Sequence, residues 1–189
     1  MAASRRWLEY ATKPGFMLAL IGVALLVHPA NATERGFFVV ALALGLISDV
    51  FLMLPRDLFL AGLVAALVEH FAYIAGFRTR ELHIGQLAVA AAIALVSVAV
   101  VLPTIIRALR QDHRRLVAPV IAYVAVFVVM VASAGGTGSS IALAGALLFF
   151  YSDAILAWNR FVRPLPYGRI VNIVPYHLGE ALLVLSLVT

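Results

Sequence analysis

Apolar residues in this chain come in long runs. They do not alternate as in a half-buried strand, and they are too continuous for the one-sided stripe of a soluble helix. Seven runs approach the roughly 20 residues that a helix needs to cross a bilayer: 14–28, 36–54, 57–77, 84–102, 117–134, 139–158 and 170–188. The first is short and can extend back toward Trp7, and the fourth can continue past Pro103 to Ala108. The gaps are short; the one with a flexible composition is AGGTGSS, Ala134–Ser140. Hydrocarbon offers no partner to an unpaired backbone group, so helices are the expected element, and barrel-type alternation is absent. The predicted fold is all-α: one integral-membrane domain over 1–189, a polytopic bundle of seven spans.

Composition agrees. The chain has 189 residues, 64% hydrophobic and 12% charged, against about 45–50% and about 25% in soluble domains. There is no cysteine, which excludes disulfides, thiolate metal sites and cysteine nucleophiles. A net charge of +5 would suit nucleic acid, but its placement points to a membrane. With seven spans, eleven of the fourteen Lys and Arg fall on one side: Arg5, Arg6, Lys13, Arg56, the four arginines of Arg107–Arg115, Arg160, Arg163 and Arg169. Only Arg35, Arg78 and Arg80 fall on the other. The basic excess predicts a cytoplasmic N-terminus and contact with anionic membrane lipids, with no nucleic-acid partner. The first run ends in His-Pro and Asn, not in a small-residue cleavage site, so a cleaved signal peptide is not expected.

Nine residues are acidic. Glu9, Glu34, Asp57, Glu81 and Asp112 are placed in loops or at span ends; Asp49, Glu69, Asp153 and Glu180 fall within spans, as do His70 and His177. An unsatisfied acid at mid-bilayer costs about 2.5–3.5 kcal/mol. Four cost on the order of 10 kcal/mol, comparable with a whole protein's net stability. They must therefore face one another, water or the histidines. Their depths permit one polar cavity opening toward the cytoplasmic leaflet. Helical spacing supports this: His177 with Glu180, His70 with Tyr73, and Glu69 with Tyr73 each share a face, with Asn172 and Tyr176 on the adjoining stripe. A short internal echo joins GLISDVFL (45–52) to FFYSDAIL (149–156). Each Ser-Asp pair is followed by a Pro/Arg-containing loop and then by a helix carrying His and Glu, so two helix hairpins could face each other across a pseudo-two-fold axis.

These segments resemble the YhhN family of membrane lysoplasmalogenases over almost the whole chain. The resemblance rests on GLISDVFLML (45–54), HFAYIAGF (70–77), GALLFFYSDAILAWNRF (145–161), PLPYGR (164–169) and YHLGEALLVLS (176–186). The family's first motif is typically Gly-Asp where this chain has Ser48-Asp49. Its last is usually Tyr-Tyr followed by Ala-Gln where this chain has Tyr176-His177 and Gly179-Glu180. Some members carry an eighth, N-terminal span, which this chain is expected to lack. The resemblance implies a multi-pass protein of the cell membrane whose substrate is a lysophospholipid. The reaction implied is hydrolysis of the vinyl ether bond of lysoplasmalogens to a fatty aldehyde and a glycerophospho-headgroup.

That chemistry suits the intramembrane residues. Vinyl ether hydrolysis needs a neutral acid to protonate carbon, then an anion to stabilise the resulting oxocarbenium-like cation and to activate water. Two carboxyls can divide these tasks, as in glycosidases, and Asp49 and Asp153 are the expected pair. Glu69, His70, Tyr73, Tyr176, His177 and Glu180 would orient water, bind the glycerol or phosphate, or tune the pair. Lys13 and Asn159, at helix ends, would contact the headgroup phosphate. No cofactor and no metal are expected, although His177–Glu180 has helical metal-ligand spacing. Plainer roles compete: helix-holding hydrogen bonds for the aspartates, backbone bonding for Ser48 and Ser152, packing for His70, Tyr73 and Tyr176. No Gly-x-Ser-x-Gly elbow suggests a serine lipase. Two other readings are a hydrolase of another lysolipid and a proton-coupled carrier or lipid-binding membrane protein. The carrier would need helices broken at mid-membrane, with Pro103 and Pro175 as candidates.

Overall fold

The computed structural model describes residues 2–54 and 56–189, with side chains from Thr12 onward. The side chains of Arg5, Arg6, Trp7 and Glu9 thus lie outside the described set. The described residues form seven α-helices and no strand: α1 (Ala2–Leu26), α2 (Ala32–Met53), α3 (Phe59–Phe77), α4 (Ile84–Asp112), α5 (Val117–Gly136), α6 (Ser140–Phe161) and α7 (Gly168–Leu185). Single 3₁₀ turns precede α5 and follow α7. Six helices, α2 to α7, are long and apolar enough to cross a membrane. The apolar part of α1, Thr12–Leu26, is shorter.

Local chemistry moves several ends from their expected places. Asn31 caps α2 by accepting from the backbone N–H of Thr33 and Glu34 at 2.9 and 3.3 Å, so α2 starts before the apolar run does. Glu34, expected in a loop or at a span end, is therefore a first-turn residue and fully buried, paired with Arg80 at 2.8 Å. The flexible-looking stretch Ala134–Ser140 is mostly helix. Ala134, Gly135 and Gly136 are the buried last turn of α5, because their small size lets α4 approach: Ala90 packs directly on Gly135. The turn itself is three residues, closed by Thr137 Oγ1 donating to Ala134 O at 2.6 Å and by Ser139 capping α6. Helices α4 and α7 run unbroken through Pro103 and Pro175, so neither proline makes the interruption a carrier would need.

The internal echo becomes a shared register. Ser48 Oγ donates to Gly62 O at 2.9 Å, tying α2 to α3. Ser152 Oγ donates to Asn172 O at 2.8 Å, tying α6 to α7. Asn172 returns two bonds, from Nδ2 to Ser152 O and Oγ at 2.8 and 2.9 Å. Glu69 lies as far beyond Gly62 as Gly179 lies beyond Asn172, and both mark close approaches. A methyl at Gly45 would meet Glu69 Oε1 at 2.5 Å, and one at Gly179 would meet Phe149 N at 2.8 Å. The two hairpins thus cross alike, with the small residue on opposite partners. The preceding helices match too: α1 packs on α2 and α7, and α5 packs on α6 and α3. Helix α4 stands outside this pairing, against α5 and α6.

Candidate active site

Between the two hairpins lies a cavity of about 610 Å³. Its polar lining includes Lys13, Asp49, Glu69, Asp153, Asn172 and Tyr176. Its apolar lining includes Val98, Val101, Leu102 and Ile105 of α4 and Val120 and Val124 of α5. Its outer end lies among Phe59, Phe161 and the exposed Arg169, at the basic end of the bundle that holds the Arg107–Arg115 segment.

The aspartates enter from equivalent positions on α2 and α6, each beside the serine that ties its hairpin. Each meets a polar group of the preceding helix. Lys13 Nζ of α1 pairs with Asp49 Oδ1 at 3.4 Å and lies 5.6 Å from the Tyr176 ring centre. Tyr123 of α5 donates its hydroxyl to Asp153 Oδ2. Behind Tyr123, its oxygen meets His70 Nε2 at 3.0 Å. The phenol's one hydrogen goes to the Asp153 carboxyl, so His70 Nε2–H is the donor in that contact and Nδ1 is the bare nitrogen. His70 is fully buried, 4.0 Å from the Phe127 ring centre.

A second buried group adjoins the first. Tyr73 donates to Glu180 Oε2 at 2.5 Å, and Glu69 is buried on the same helix, α3, as Tyr73. Among the described residues, the buried side-chain oxygens without a hydrogen-bond partner are Asp49 Oδ2, Glu69 Oε1 and Glu180 Oε1.

The expected residues therefore divide. Lys13, Asp49, Glu69, Asp153 and Tyr176 line the cavity; His70, Tyr73 and Glu180 form its buried backing. His177 is not brought to it: the ring lies 4.1 Å from Phe16, on the α1 side of α7. His177 and Glu180 meet different neighbours, Phe16 and Tyr73, and among the described residues no three His, Asp or Glu come together as metal ligands. Asn159 is used in the α6–α7 loop, accepting from Leu165 N at 2.8 Å and donating to Gly168 O at 3.2 Å. Tyr123 and Arg169 were not anticipated as site residues. Tyr123 sits in an otherwise apolar span and reads as packing. The signal that could have found it is the Ser-Asp echo carried one helix upstream, where Lys13 and Tyr123 take matching places.

The YhhN family matches residues 8–187. The chain belongs to the YhhN family. It is similar to human "Lysoplasmalogenase TMEM86B", with 28% identity over 180 residues, 95% of this chain and 75% of the human one. The mouse protein of that name is 32% identical over 146 residues, and the pig protein 33% over 150. Those two matches cover 77% of this chain and 61% of the relatives' length. No solved structure matches. With six helices suited to crossing a bilayer, this YhhN protein is a multi-pass membrane protein.

Proposed function

We propose that this YhhN protein is a lysoplasmalogen hydrolase: a single integral-membrane domain of seven spans, N-terminus cytoplasmic, in the cell membrane. The observation that carries the reading is one cavity lined both by Asp49 and Asp153 and by branched aliphatic side chains of α4 and α5. A lysolipid likewise joins a polar headgroup to an apolar chain. The names of the human, mouse and pig relatives supply the bond.

The two aspartates have different partners, which divides the work. Asp153 faces the neutral Tyr123 hydroxyl and acts as the acid, delivering its proton to the alkenyl carbon beyond the ether-bearing one. The double-bond electrons take that proton, and the remaining cation is shared between carbon and ether oxygen. Asp49, ion-paired with Lys13, is the carboxylate that stabilises the cation and takes a proton from the attacking water. The resulting hemiacetal collapses: Asp49 gives its proton to the glycerol oxygen as the carbon–oxygen bond to glycerol breaks, the hemiacetal O–H proton passes to Asp153, and the aldehyde leaves. One water is consumed, and both carboxyls return to their starting states. His70 and Tyr123 hold Asp153 in place, while Arg169 and Lys13 bring positive charge to the headgroup phosphate.

The test is aldehyde release from lysoplasmenylcholine and lysoplasmenylethanolamine by purified protein, beside Asp49→Asn and Asp153→Asn. The ester-linked lysolipid is the control. Aldehyde from wild type, lost in both folded variants, is the expected result. A wild type that leaves vinyl ethers intact and cleaves the ester would overturn it.

A further inference from the structure

The cavity reaches the outer face of the bundle between α4 and α6. Tyr151 and Ser97 both line it, yet Tyr151 is 41% exposed. Each sits near the middle of its helix, at hydrocarbon depth. Tyrosines of spanning helices gather at the two interfaces, where the hydroxyl finds water, so an interfacial belt does not explain this one. Ser97 Oγ donates its only hydrogen to Ile93 O at 2.9 Å. The 3.0 Å contact between the two hydroxyls is therefore donated by Tyr151, which clasps α6 to α4 across the seam.

Helix α4 is built to part there. Its buried residues lie toward the two ends: Ala90 and Ala94 toward α5, then Ile105 and Leu109 in the cluster with Phe59 and Val120. Between them the helix shows the cavity Ser97, Val98, Val101 and Leu102, and its outer side carries Val96 and Val100, 65% and 72% exposed. Pro103 falls in this stretch and removes one backbone hydrogen bond, a common site of helix bending. Helix α4 also lies outside the hairpin pairing that fixes the aspartates, so moving it leaves them in place.

We propose that the α4–α6 seam is the binding and admission site for the substrate's hydrocarbon chain. The chain lies between Val98, Val101 and Leu102 and continues out into the bilayer core, and the Tyr151–Ser97 hydrogen bond closes the seam when no chain is there. The inference rests on the lysolipid reading of the cavity. It adds that long chains arrive sideways from the bilayer, while the headgroup stays at the basic end. Chain length is then weakly discriminated, because the far end of the chain remains in lipid.

The absence of cysteine makes this testable with Ser97→Cys/Tyr151→Cys. The full-length protein in phosphatidylcholine vesicles is linked with a reducible bifunctional thiol reagent, and the unlinked variant supplies the baseline. Linking should lower kcat/KM on bilayer-dissolved long-chain lysoplasmenylcholine by about tenfold or more. Reduction should restore it, and turnover of a short-chain, water-soluble analogue should stay at baseline. Unchanged long-chain turnover after linking overturns the proposal, as does an equal loss on both substrates. If the unlinked protein cleaves neither, the hydrolase reading fails, and binding decides this one: a lysophosphatidylcholine with a diazirine at the chain end should label the α4–α6 seam. Labelling confined to the basic end or to other helices overturns it.

Discussion

Asp49 and Asp153 occupy equivalent places but hold different partners, an ammonium at 3.4 Å and a phenol. Removing either carboxyl should therefore lower kcat by about 10²–10⁴, the usual worth of a positioned acid or base, with the melting temperature of each variant checking that it folds. Tyr123→Phe keeps the ring and deletes the bond to Asp153, and it leaves His70 facing an apolar edge. It should cut kcat more than it raises KM. Arg169→Gln should behave differently. It should raise KM for lysoplasmenylcholine while leaving an alkenylglycerol without phosphate unaffected, since only the phosphorylated substrate loses a charge contact. Equal effects on both substrates would remove Arg169 from headgroup binding.

The α6–α7 pair depends on two glycines and one hydrogen-bonded clasp. Carbonyl and amide groups of the facing helix lie within 3 Å of any methyl added at Gly145 or Gly179. Gly179→Leu should push the helices apart, and it should lower both the melting temperature and activity more than Ser152→Ala, which gives up only one hydroxyl of the clasp, worth about 1 kcal/mol. At the opposite end, Glu34 is fully buried beneath Arg80. Arg80 also donates to Thr189 O and Ser186 O, so this pair anchors the end of α7 to α2 and α3. Arg80→Ala leaves a buried carboxylate without its cation and should cost about 3–5 kcal/mol, read by thermal melt in detergent. The exposed pair of Asp57 with Arg160, in the last turn of α6, at 2.6 Å, behaves otherwise. The Arg160 guanidinium holds the Asp57 carboxyl below its usual range. Its contribution is present above the ordinary Asp value and is lost as pH falls through the lowered one. Solvent screening keeps such pairs weak, so Asp57→Asn should leave the neutral-pH melt almost unchanged.

The whole molecule is a bundle with a basic end, a cavity near that end, and the Glu34–Arg80 anchor at the other. In the proposed orientation the basic end lies in the cytoplasm, as the charge bias predicts. In the cysteine-free background, Gln111→Cys should be shielded from a membrane-impermeant thiol reagent in intact cells, and Glu81→Cys should react. The reverse pattern would invert the topology and put the cavity mouth on the outer face. With the proposed α4–α6 seam, a single-chain lipid reaches the aspartates without leaving the bilayer.

Helix number and the four intramembrane acids were legible from sequence because hydrocarbon enforces them. A run of apolar residues that must satisfy its own backbone has one solution, and a carboxyl in such a run stands out by its cost. That Asp49 and Asp153 face one cavity was also legible, through the repeated Ser-Asp. Residues whose role depends on which way a helix turns were not. His177 shares a helical stripe with Glu180, yet its ring packs on Phe16. Asn159 looks like a headgroup contact and instead holds a loop. Tyr123 looks like packing and instead bonds Asp153. Periodicity gives depth and face along one helix, but a cavity is made where several helices meet. Here close approaches at Gly45, Gly145 and Gly179 decide which faces meet, and that contact exists only in the folded bundle.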